Sequence, residues 1–162
     1  MEIPVQDYLE QLLRENSADS GELAQYIPEL AQANPDRFAI AFATPDGQVY
    51  SAGDVDVEFS IQSISKPFTY ALAIADQGIE TVLSHIDVEP SGEAFNEISL
   101  EPSTGRPLNP MINAGAIAAH DLVHGDDVEH RTERIVTAYS RLAGRRLSVD
   151  RTVHRSELDQ AH

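Results

Sequence analysis

The sequence predicts an α+β domain in which helices pack on an antiparallel sheet, and three observations carry that prediction. Residues 38–43 and 48–52 read as two short apolar strands joined by the turn signal Pro45-Asp46-Gly47, the pattern of a hairpin. Val5, Tyr8, Leu9, Leu12 and Leu13 fall on one stripe of a helix over residues 5–15, while Ile135, Val136, Tyr139 and Leu142 form the inward stripe of another over residues 128–143. A length of 162 residues suits one domain with a real core.

In chain order, the first helix is followed by the polar break at residues 16–21. A short second helix is expected from Glu22 to about Tyr26, with Asp19 and Glu22 spaced as a capping box and Pro28 as its stop. After the hairpin, Val55, Val57, Phe59 and Ile61 alternate with polar residues, which predicts an extended segment with one buried face. That segment leads into a helix whose first turn holds Ser63, Lys66 and Pro67. Phe68, Leu72 and Ala75 follow at helical spacing, and Gly78 stops the helix. Residues 79–86 form another short helix, residues 89–92 a turn, and residues 93–109 an irregular stretch broken by Pro102, Gly105 and Pro107. Small residues then crowd a buried helix over residues 108–123, which lets a backbone or a substrate come close. Gly144 caps the helix at 128–143, and the polar residues 148–162 carry no capping or closing signal.

Composition narrows the partners. The net charge is −16, from 27 acidic and 11 basic residues, which argues against nucleic acid and against an anionic membrane surface. Cysteine is absent, so neither a disulfide framework nor a thiolate metal site is available, as fits a reducing cytoplasm. Residues 1–7 show no basic or apolar leader pattern, and no stretch approaches ~18 consecutive apolar residues. The expectation is a soluble cytoplasmic protein.

Ser63 and Lys66 are the candidates for chemistry. Three residues apart at the start of a helix, they project from one face. A serine hydroxyl needs a neighbouring base to become a nucleophile, and a lysine can serve if its pKa is lowered. Lys66 is the only lysine beside ten arginines, and arginine cannot deprotonate to act as that base. The helix N-terminus, with free N–H groups and a positive dipole end, is suitable ground for an oxyanion at Ser63.

Three stretches in order, Gln62-Ser63-Ile64-Ser65-Lys66-Pro67, then Glu89-Pro90-Ser91-Gly92 with Phe95-Asn96, then residues 109–117 (Asn-Pro-Met-Ile-Asn-Ala-Gly-Ala-Ile), resemble the bacterial-type glutaminases. Those enzymes are relatives of the serine β-lactamases and penicillin-binding proteins. The resemblance implies a β-lactamase/DD-peptidase-like fold, and hydrolysis of L-glutamine to L-glutamate and ammonia through a glutamyl-serine intermediate. It casts Ser63 as nucleophile, Lys66 as general base and Tyr26 as a tyrosine lining the site. Asn113 and Glu157 are implied to bind the amino-acid end of the substrate, Glu157 through its ammonium, and Gln62 to shape the site. No cofactor is implied, and the complete protein is expected to be a homotetramer. Since members of the family are close to twice this length, residues 1–162 are expected to be the N-terminal portion of one domain. Its sheet would then be incomplete here, and the piece alone poorly stable and inactive.

Other readings have their own signatures. A β-lactamase-like Ser-Lys amidohydrolase shares Ser-x-x-Lys, but the Ser-x-Asn and Lys-Thr-Gly partners are not found. His120 and His124 stand at i and i+4 as in His-Glu-x-x-His, with Asp121 where glutamate would be and His130, Asp126 and Asp127 near in sequence, which suggests a metal hydrolase. A truncated, inactive protein acting only by binding is the non-enzymatic alternative.

Overall fold

The computed structural model describes residues 4–18 and 21–160. The chain divides into two units, residues 1–60 with 150–162, and residues 61–149.

In the first unit, helix α1 (Val5–Asn16) lies against a two-stranded antiparallel sheet of β1 (Ala39–Ala43) and β2 (Val49–Gly53). Ala41 is paired with Ser51, and Thr44 N–H donates to Gln48 O (2.9 Å) across the turn, where Gly47 takes a φ of 89° that a side chain would resist. Leu9 of α1 is buried, Leu12 and Leu13 are half-buried, and Gln6 Nε2 donates to Ser51 O at 2.9 Å. Val5 and Tyr8, expected on the buried stripe, are exposed. Phe42 and Val49 of the hairpin are also exposed.

Three expectations fail in this unit. No helix forms at residues 22–25; the turn of helix α2 (Pro28–Ala31) begins instead at the proline expected to stop one. Proline lacks an N–H that the first helical position would leave unpaired anyway, so it starts a helix as readily as it ends one. Asp19 of the anticipated capping box lies outside the described residues. The buried face expected of the extended segment at Val55, Val57, Phe59 and Ile61 does not form: Val55, Phe59 and Ile61 are exposed, and a turn from Asp54 to Val57 (Val57 N–H to Asp54 O, 3.1 Å) interrupts the alternation. The polar end, in which no capping signal was expected, forms helix α7 (Arg151–Gln160). Asp150 Oδ1 accepts from the N–H groups of Thr152 (2.9 Å) and Val153 (3.1 Å), an aspartate cap that was the legible signal. Ser156 on α7 donates to Glu29 Oε1 on α2 at 3.0 Å.

The second unit opens with a single 3₁₀ turn (Gln62–Ile64) that runs into α3 (Ser65–Gln77), followed at Gly78 by α4 (Ile79–His85). An irregular stretch follows, held by Arg106, whose guanidinium donates to Leu83 O (2.6 Å), Asp87 Oδ2 (2.8 Å) and Glu101 Oε2 (2.8 Å). Helix α5 (Asn113–Asp121) is shorter than the expected 108–123. The Asn109 side chain accepts from Met111 N–H (2.9 Å) and Ile112 N–H (3.2 Å), fixing a turn that delays its start. Helix α6 (Val128–Leu142) is capped by Asp127, which accepts from His130 N–H at 2.8 Å. Ala73, Val82, Val123 and Ile135 form the core of this unit, with Tyr70, Leu72 and Tyr139 packed on it. Leu142, expected to point inward, is 69% exposed: it shares the face of Ile135 but ends α6, where the covering helices have run out.

Candidate active site

Within the second unit the structure brings together Lys66 and Asn113, 47 residues apart in sequence. Lys66 stands in the first turn of α3 and is only 7% exposed. Its Nζ donates to Asn113 Oδ1 at 2.7 Å and to the Met111 carbonyl at 2.9 Å. Burial pushes its pKa below the ordinary lysine value. Neither acceptor is a carboxylate, so no ion pair holds the proton on, and none reaches Lys66 among the described residues.

Ser63 occupies the 3₁₀ turn just before α3 and is exposed, rather than lying in the α-helix itself. Among the described residues, the Lys66 hydrogen bonds go to Asn113 and Met111 and not to Ser63. The residue before the serine, Gln62, has φ 47°, the one positive value at a non-glycine among the described residues. A left-handed conformation costs such a residue of order 1 kcal/mol, and it turns the chain sharply just where the serine is presented.

The footing of this turn comes from α6. Tyr139 donates its hydroxyl to Ser65 O at 3.0 Å and is itself hydrogen-bonded to the hydroxyl of Thr69, a fully buried residue of α3. Burial raises the Tyr139 pKa, which keeps the phenol neutral and able to donate. On the other side, Gly115 lets α5 approach the preceding turn: a Cβ there would lie 2.0 Å from Asn109 O. Asn113 thereby stands at the start of α5, facing Lys66.

Tyr26 and Glu157 belong to the first unit, where the Tyr26 hydroxyl donates to Glu157 Oε1 at 3.2 Å. Burial and then the negative charge of Glu157 push the tyrosine pKa up. Both residues, 131 apart in sequence, are thus partners in space, which neither residue's local sequence disclosed.

The histidine pair has local partners. His120 Nδ1 lies 2.7 Å from Ala116 O, and His124 N–H donates to Asp76 Oδ2 at 2.9 Å. Among the described residues, no three histidine or carboxylate side chains gather as a metal ion would require. No helix among them is long and apolar enough to cross a membrane.

The sequence reasoning missed two contributors. The Met111 carbonyl is a backbone group that no side-chain pattern announces. Phe95, noted only as part of a motif, places its ring over Lys66 Nζ.

Comparison with known proteins identifies the family of the chain. The family model described as Glutaminase matches residues 21–162. The chain belongs to the glutaminase family. A glutaminase of Corynebacterium efficiens is 51% identical across 98% of this chain, which spans 38% of that relative's length. Among solved structures, Mglu in its glutamate form superposes with a TM-score of 0.90 at 54% identity, covering 99% of this chain and 38% of that one. A probable glutaminase from Bacillus subtilis complexed with 6-diazo-5-oxo-L-norleucine gives a TM-score of 0.80 at 33% identity, covering all of this chain (100%) and 49% of the other. The expected glutaminase resemblance and α+β fold are therefore borne out, and the chain spans about two-fifths of the length of the Corynebacterium efficiens glutaminase.

Proposed function

We propose that this chain contributes the nucleophile and base of a glutaminase that hydrolyses L-glutamine to L-glutamate and ammonia through a glutamyl-serine intermediate. The observation that carries the reading is the hydrogen bonding of Lys66. A neutral amine has two N–H groups and one lone pair. Met111 O and Asn113 Oδ1 take up both N–H groups, which leaves the lone pair to accept a proton. Burial without a counter-charge favours that neutral form.

In the proposed reaction, Ser63 Oγ attacks the side-chain amide carbon of glutamine while its proton passes to Lys66 Nζ. The tetrahedral oxyanion forms beside the N-terminal end of α3, whose positive dipole end suits negative charge. Lys66 then gives the proton to the departing nitrogen, the C–N bond breaks, and ammonia leaves a glutamyl ester on Ser63. Water attacks that ester, its proton passing to Lys66 and then to Ser63 Oγ as glutamate is released.

Asn113 keeps its amide nitrogen as a donor, since only Oδ1 is engaged by Lys66, which suits it to the substrate α-carboxylate. Glu157 is assigned to the substrate ammonium and Tyr26 to positioning that carboxylate, which its hydroxyl already contacts. Residues 1–162 are read as the N-terminal portion of one glutaminase domain, in a protein that is cytoplasmic and homotetrameric, with L-glutamine as substrate.

The test is ammonia release from L-glutamine by the chain extended through its downstream reading frame, beside the same protein carrying Ser63→Ala. Release that the substitution abolishes supports the reading. Undiminished release from the Ser63→Ala protein would overturn the serine mechanism.

A further inference from the structure

Phe95 sits in the irregular stretch between α4 and α5, with its ring centroid 5.5 Å from Lys66 Nζ. Its carbonyl accepts from Asn113 N–H at 2.9 Å, and Asn113 Oδ1 accepts from Lys66 at 2.7 Å. Phe95, Asn113 and Lys66 thus close a circuit of contacts within the second unit. Phe95 is 63% exposed, so burial of its own apolar surface does not account for where it stands.

The face of an aromatic ring is negative and attracts an ammonium within about 6 Å, whereas a neutral amine gains little from it. No other group among the described residues offers Lys66 compensating charge. Among the described residues no ion pair reaches it from α3, α5, α6 or the stretch between α4 and α5. Tyr139 of α6, whose hydroxyl donates to Ser65 O beside the base, is a phenol kept neutral by burial, and Glu93, on the stretch that carries Phe95, accepts from the Ser99 hydroxyl. A protonated Lys66 therefore rests on two neutral oxygens and one ring.

We propose that Phe95 is a positioning residue for the base: its ring holds Lys66 Nζ against Asn113 Oδ1 and stabilises the ammonium formed when Lys66 takes the Ser63 proton. The proposal rests on the reading of Lys66 as general base. It gives the base two environments in one place. Burial favours the neutral amine before the reaction, and the ring supports the positive charge that develops as the proton moves.

The experiment replaces Phe95 in the full-length protein with mono-, di- and trifluorophenylalanine, which drain the negative face while nearly keeping the ring's shape. The Lys66 titration is followed by NMR of isotope-labelled lysine, its signal being the one missing from Lys66→Arg. The expected result is a stepwise fall of the midpoint, about half a pH unit in all, with the ascending limb of the kcat/KM profile moving to lower pH by the same amount. Phe95→Tyr should keep the original midpoint and Phe95→Leu should fall at least as far as the trifluoro variant. A midpoint that stays constant or rises along the fluorine series overturns the proposal. If the unsubstituted protein releases no ammonia from glutamine, the functional reading fails instead, while the titration still decides whether the ring supports the ammonium.

Discussion

Lys66 Nζ and Asn113 Oδ1 are joined by a 2.7 Å hydrogen bond that links the first turn of α3 to the first residue of α5. The bond uses the one lysine of the chain and the oxygen of an amide whose nitrogen stays available. It fixes the orientation of a buried amine without supplying a counter-charge, which is the condition a lysine base requires.

Replacing Lys66 by arginine keeps a cation at the site and removes the lone pair. Lys66→Arg in the full-length protein is expected to lower kcat for glutamine by about 10³-fold or more, with Ser63→Ala at least as severe. The measurement is ammonia release under saturating glutamine. Near-normal turnover by Lys66→Arg would remove lysine from the mechanism.

The depressed pKa of Lys66 sets the direction of the pH dependence. Activity should rise with pH as the amine loses its proton, with a midpoint below the ordinary lysine value of about 10.4. The stability linkage runs the same way. Below the folded-state pKa the lysine is charged in both the folded and unfolded chain, and its burial costs stability. As pH rises from that value toward the unfolded one, the unfolded chain binds more protons and the cost is relieved. Labelled-lysine NMR gives the midpoint, and a value at or above that of a free lysine would contradict the burial argument.

Asp76 offers the opposite sign. Its carboxylate, 2% exposed, is bonded by the Arg134 guanidinium and accepts from His124 N–H, and Arg134 is the larger of the two in holding its pKa below the usual aspartate value. A depressed carboxylate stabilises the fold above its unfolded pKa, and this contribution is lost as pH falls through the folded value. Asp76→Asn should therefore lower Tm by several degrees at neutral pH. The gap from the parent should shrink steadily below about pH 4. Thermal melts across pH 2 to 7 check this, and a gap independent of pH would mean that the ion pair is not its source.

Gly115→Ala places a methyl group 2.0 Å from the Asn109 carbonyl oxygen and 2.8 Å from its carbon, both backbone atoms that cannot rotate away. The expected cost is about 3 kcal/mol, read as a shift in denaturant midpoint. Because α5 must back away from the Asn109 turn, the Lys66 NMR signal should shift as well. Unchanged stability would show that this approach is looser than it stands here.

Tyr139→Phe removes the hydroxyl that donates to Ser65 O and meets Thr69. Thr69 is fully buried and loses its neighbour, so a destabilisation of about 1–2 kcal/mol is expected in denaturant melts. Turnover should fall with little change in KM, since the footing of the Ser63 turn is disturbed rather than the substrate contacts.

Where the sequence was legible, the reason is local. The hairpin is written in Pro45-Asp46-Gly47 between two apolar runs, and α3 in a proline of the first turn with Gly78 at its end. The missed helix α7 was also locally written, in Asp150 as an N-cap, but its low apolar content hid it. Pro28 was ambiguous in kind, because the same missing N–H that ends one helix begins another. The alternation at residues 55–61 describes side chains only and cannot say whether a partner strand lies alongside.

The sequence by itself determined the chemistry on offer: one lysine among arginines, three residues from a serine at a helix start, and no thiol. Tertiary structure alone decided how that chemistry is tuned. The acceptors of Lys66, the ring of Phe95, the left-handed Gln62 and the pairing of Tyr26 with Glu157 all arise from groups that packing brings together or strains. A residue type fixes which protons it can give or take. The pKa and direction of those protons depend on burial and on neighbours far along the chain, which no local pattern specifies.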